Sequence, residues 1–218
     1  MKKLLSVFSV LTLITGFTFA GDNNNITAGF GVGFGGVYSN AAAELDVSPK
    51  EDADISFSGY DIIDIEGRLF LNNCNAAFLL RVNGSLAFFE DSHFNNCFIT
   101  GGTFVGTYIG AGYRFRPTDR ISLIPSAVFG TGILSAEDEA AGTETTLEYT
   151  SLDFGVDFAF LYQLSEKMHL EVSAMATVNA LGTGTISVET GYYKSSYNID
   201  GKAGKVTTTG KIGLVWLF

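Results

Sequence analysis

Eight segments of this chain alternate, residue by residue, between a bulky apolar side chain and a small or polar one. A period of two is the mark of an extended strand, whose successive side chains point to opposite faces. From Ile26, the residues Ala28, Phe30, Val32 and Phe34 alternate with Thr27, Gly29, Gly31, Gly33 and Gly35. The spacing predicts seven further strands over about 56–71, 77–90, 103–115, 121–134, 149–163, 168–181 and 206–218. In the second, Ile63, Ile65, Leu69 and Leu71 oppose Asp64, Glu66 and Arg68; in the sixth, Leu152, Phe154, Val156, Phe158, Phe160 and Tyr162 oppose Ser151, Asp153, Gly155 and Asp157.

Alternation alone does not say where the apolar face points, because a soluble sandwich alternates too. Composition settles it. The chain holds 26 Gly and 19 Phe but only 3 Pro, and charged residues make up just 17%. A soluble sheet would turn a face rich in Lys and Glu to water, whereas here the polar face is mostly Gly, Ser and Thr. Such a face suits the cramped inside of a narrow barrel, which leaves the bulky face to meet lipid. The expected fold is all-β: an eight-stranded antiparallel up-and-down transmembrane β-barrel. Its connections should alternate between long (about 39–55, 91–102, 135–148 and 182–205) and short (72–76, 116–120 and 164–167), as outer loops and periplasmic turns do.

Two sets of residues acquire roles from this register. Asp64, Glu66, Arg68, Arg81, Arg114, Asp153, Asp157, Glu171 and Lys211 all fall on the inward phase. Charges of both signs enclosed together are expected to pair, forming a polar network that plugs the lumen. Tyr113, Phe115, Phe160 and Tyr162, with Trp216 and Phe218, fall on the lipid-facing phase at the periplasmic ends of their strands, where an interfacial aromatic girdle belongs.

The two ends of the chain agree on a compartment. Lys2 and Lys3, an apolar run from Leu4 to Phe19 and a small Ala20 have the layout of a secretory signal peptide, giving a division into signal peptide, 1–20, and barrel domain, 21–218. The closing residues, with Lys211, Gly213, Trp216 and Phe218 at alternate or nearby positions, resemble the C-terminal β-signal of outer-membrane barrels. The whole of 21–218 thereby resembles the small eight-stranded barrels of the OmpA-barrel, OmpX and OmpW type. That resemblance implies Gly213, Trp216 and Phe218 as an assembly signal, and the barrel assembly machinery, periplasmic chaperones and outer-membrane lipid as partners. It implies residence in the bacterial outer membrane; the sequence itself does not set the oligomeric state, and a monomer is the expectation.

The net charge is −10, and the long connections hold nearly all of it. Glu44, Asp46, Glu51, Asp52 and Asp54 lie in the first, Glu90 and Asp91 in the second, and Glu137, Asp138, Glu139, Glu144 and Glu148 in the third. An acidic rim repels nucleic acid and favours cations or basic partner surfaces. No EF-hand spacing is present, and no metal or cofactor is expected. Cys74 and Cys97 would lie at opposite membrane faces in this topology, too far apart for a disulfide. Ser92 and His93, beside Asp91, are the nearest approach to a hydrolytic pair, but sequence adjacency does not supply the geometry that general-base chemistry needs. The expected function is therefore non-enzymatic: a surface protein whose acidic extracellular loops serve interaction or adhesion. A narrow, porin-like conduit for small or hydrophobic solutes, implied by the OmpW likeness, is the first alternative and a lipid-modifying enzyme the second.

Overall fold

A computed structural model describes residues 26–46, 51–89, 101–140, 142–202 and 206–218. The segment read as a signal peptide and the Asp91, Ser92, His93 and Cys97 positions lie outside these residues. Ten strands are present among them: β1 (Ile26–Leu45), β2 (Glu51–Leu71), β3 (Ala76–Phe89), β4 (Gly101–Tyr113), β5 (Phe115–Thr118), β6 (Ile121–Ala140), β7 (Thr143–Gln163), β8 (Met168–Thr190), β9 (Tyr193–Lys202) and β10 (Val206–Leu217). Every pairing is antiparallel, and the ring closes where β10 lies between β8 and β1. The result is an up-and-down barrel of eight walls.

Ten strands make eight walls because two strands are continuations. β5 prolongs β4 past Arg114 and pairs with β6. β9 also lies between β8 and β1, in the same slot that β10 fills farther down, so β9 and β10 are successive parts of one wall. The eighth wall thus begins at Tyr193, not near residue 206 as the alternation suggests.

The long connections are correspondingly shorter than expected. Most of 135–148 and 182–205 is strand: β6 runs in register with β7 up to Ala140 opposite Thr143, and β8 with β9 up to Thr190 opposite Tyr193. Gly142 and Gly191, with φ of 77° and 59°, make the tight reversals in the left-handed region that glycine enters freely. The walls therefore project as paired hairpins beyond the apolar belt.

That belt is the outward face. Phe34, Ile63, Phe78, Ile109, Phe129, Phe154, Phe158 and Val172 are all exposed on it. At the turn end, Tyr113, Phe115, Phe160, Tyr162, Trp216 and Phe218 all point outward, with the Tyr113 and Phe115 rings 4.6 Å apart. A second aromatic group, Tyr38, Tyr60 and Phe88, faces outward toward the hairpin end, and the Tyr60 and Phe88 rings meet edge to face at 6.3 Å.

Two bulges adjust the register. β2 carries one residue more than either neighbour at Ile62, so Ile62 and Ile63 both face outward, and β8 carries one residue more than β7 at Ala180. Each bulge lets inward positions continue in phase with neighbouring walls after the strand has bent.

Candidate functional site

The lumen is layered, and its middle layer is ionic. Arg68 donates from Nε to Glu66 Oε1 at 2.7 Å and from Nη2 to Glu171 Oε1 at 2.6 Å. Lys211 Nζ lies 2.7 Å from Glu66 Oε2, 3.0 Å from Glu171 Oε2 and 3.5 Å from Asp64 Oδ1. Arg81 grips Asp64 with both Nε and Nη2, and its Nη1 lies 3.7 Å from Asp157 Oδ1. Asp157 also lies 3.9 Å from Arg68. Four carboxylates and three cations, contributed by β2, β3, β7, β8 and β10, thus form one connected, buried cluster.

The bare inner face of β1 makes room for it. A Cβ on Gly31 would come within 2.7 Å of Glu66 Cγ, and one on Gly33 within 2.9 Å of Lys211 Cδ. The glycine run of the first strand is the wall against which the ionic side chains lie.

Seven of the nine inward charges named from the sequence meet in this cluster, and two do not. Asp153 sits apart with Tyr108, whose hydroxyl is 3.5 Å from Oδ2. Arg114 lies toward the turn end, donating to Ser122 Oγ at 3.0 Å, with its guanidinium carbon 4.4 Å from the Phe70 ring centroid. Gly213 faces inward, with the place of its missing Cβ 2.4 Å from the Val32 carbonyl oxygen, while Trp216 and Phe218 face outward.

The layers on either side of the ions are apolar, where the alternation predicts a polar lumen throughout. Toward the turns, Phe70, Ala77, Ile124, Ala159, Leu161, Val215 and Leu217 pack together on the inward phase. Toward the hairpins a larger cluster takes residues from every wall, among them Val37, Ile55, Phe57, Phe104, Leu134, Leu147, Ile186 and Ile199. Leu79, Tyr108, Val128 and Met175 pack as a third group. A signal is present in the sequence: Ile124, Val128 and Leu134 share the phase of Ser122, Ser126 and Gly130, and Leu147 and Tyr149 share that of Asp153. Within the lipid belt the walls are apolar outside, as a membrane demands. Beyond it the pattern inverts on β7, where Thr146, Glu148 and Thr150 turn to water while Thr145, Leu147 and Tyr149 are buried.

Tyr149 ties the upper apolar cluster to the polar tier beneath it. Its hydroxyl accepts from Asn179 Nδ2 at 3.0 Å, and it fills the space left by Gly182 and Gly201, where a Cβ would come within 2.0 and 2.3 Å of the same oxygen. Tyr149 lies beyond the apolar belt, and burial pushes its hydroxyl above the usual tyrosine range, against the lowering effect of the Asn179 hydrogen bond. Tyr149→Phe should cost about 1 kcal/mol, the net worth of one hydrogen bond, measured by denaturant unfolding. The void beside it, lined by Ser39, Ile55, Phe104, Leu134 and Thr207 among others, is about 10 Å³, barely room for one water molecule.

Solved structures share this architecture. The chain is similar to a major outer-membrane protein of Thermus thermophilus, with 12% identity and a TM-score of 0.62 over 88% of this chain and 99% of that one. It is similar to OprG of Pseudomonas aeruginosa, with 14% identity and a TM-score of 0.60 over 91% and 98%. The outer-membrane protease OmpT of Escherichia coli matches at 10% identity and a TM-score of 0.50 over 89% and 97%. No protein-family model matches the chain, and no curated sequence does. The fold is that of a small bacterial outer-membrane β-barrel. Its particular form is a barrel whose lumen holds a seven-residue ionic cluster between two apolar layers.

Proposed function

We propose that this barrel is a non-enzymatic surface protein of the outer membrane, whose projecting hairpins carry its contacts. The observation that supports this reading is the filled lumen: side chains from all the walls occupy the cross-section in successive apolar, ionic and apolar layers. A barrel filled in this way offers its chemistry at the rim. On the β6–β7 hairpin, Glu137, Glu139, Glu144 and Glu148 face outward, and Glu139 stands directly opposite Glu144. Like charges facing each other across a pair of strands are destabilising, so a cationic surface docking there gains from relieving them. Tyr192 and Tyr193, fully exposed at the β8–β9 reversal, add aromatic contact area at the same rim.

The test is binding of cells or matrix by barrels shortened within residues 39–55 and 135–148. Loss of binding, with heat-modifiable gel migration retained, is the expected result. Undiminished binding by a folded, shortened barrel would sink the reading.

A further inference from the structure

Every cation of the central cluster lies against a carboxylate; Arg114, buried outside that cluster, does not. It is 7% exposed, and among the described residues no carboxylate oxygen lies within 4 Å of its guanidinium. Its contacts are Ser122 Oγ through Nε and the face of Phe70. A buried charge without a counter-charge is costly, and this one faces a cavity of about 510 Å³ at the turn end of the barrel. His169 lines the same cavity, buried, with Nδ1 free of any hydrogen-bond partner among the described residues. Arg116 and Lys167 stand at its rim, alongside the exposed acids Asp119 and Glu166.

We infer that this cavity is a binding site for a phosphate group, held by the Arg114 guanidinium with His169 and Ser122. The Nη atoms of Arg114 form the fork that matches two phosphate oxygens, the Ser122 hydroxyl accepts from Arg114 Nε and so keeps its own proton to donate, and the His169 ring donates from another wall in the tautomer that carries its proton on Nδ1. A tetrahedral oxyanion uses donors arriving from several directions, where a planar carboxylate uses the fork alone. Inorganic phosphate and a phospholipid headgroup share this chemistry.

The test uses the whole folded barrel in phosphate-free maltoside micelles, with ¹⁵N-labelled Arg and His side chains followed by NMR. Inorganic phosphate should move the Arg114 and His169 signals saturably, while chloride and acetate at equal ionic strength do not. Arg114→Gln should weaken phosphate binding at least about tenfold, the loss of a bidentate charged contact. Should that variant fail to fold, Arg116→Gln and Ser122→Ala should each weaken binding about two- to threefold, as the loss of a single weaker contact does, and Lys194→Gln should leave it unchanged. In nanodiscs containing phosphatidylglycerol, a headgroup ligand would shift Arg114 before any phosphate is added; a free-phosphate ligand would leave the titration as it was in micelles. Equal shifts with chloride or acetate would overturn the proposal. So would movement of the Arg114 signal, without phosphate, in an Asp119→Asn, Glu166→Gln double variant, because the arginine would then already be paired within the chain.

Discussion

Arg68→Met should destabilise the barrel by about 3–5 kcal/mol, the cost of stranding a buried charge by removing its partner. Arg68 touches Glu66, Glu171 and Asp157, so its loss leaves Lys211 and Arg81 to face four carboxylates in a region closed off by apolar layers. Unfolding by denaturant from lipid vesicles measures the effect. A loss below about 1 kcal/mol, the scale of an exposed ion pair, would mean that water reaches the cluster and screens it.

The second large effect separates two glycines on neighbouring strands. A Cβ on Gly35 would lie 1.8 Å from the Gly210 carbonyl oxygen, a backbone atom that cannot swing aside. Gly35→Ala should therefore cost about 2–3 kcal/mol or more, as overpacking does. Gly210 sits opposite Gly36 in the register, and a Cβ there would meet nothing within 4 Å. Gly210→Ala should be neutral or stabilising by about 0.4–1 kcal/mol, because alanine restricts the unfolded chain. Equal effects at the two positions would show that the β1–β10 seam is not as described.

The barrel is legible in the sequence because lipid imposes a strict demand: within the belt, every second residue must be apolar. Beyond the belt that demand ends, and the alternation loses its contrast. Residues 182–190 alternate Thr183, Thr185, Ser187 and Glu189 outside with Gly182, Gly184 and Ile186 inside, a pattern of small and polar residues that resembles a loop. The eighth wall's upper part, with Lys194, Ser195, Ser196 and Asn198, is concealed in the same way. The ionic cluster is legible as a set of inward charges, since phase fixes which side they take. Which charges meet is not, because partners such as Arg68 and Glu171 come from walls far apart in sequence and their height depends on tilt and bulges. The apolar layers are hidden for another reason: a polar inner face is the expected one, and Ile124, Val128 and Leu134 are interspersed there with Ser and Gly.

Conductance across a planar bilayer decides whether the lumen is closed. The purified, folded barrel should give no reproducible channel steps above the bare bilayer. Recurrent steps of a single conductance from the unaltered protein would contradict a closed lumen, because ions would then be crossing both apolar layers and the ionic cluster between them.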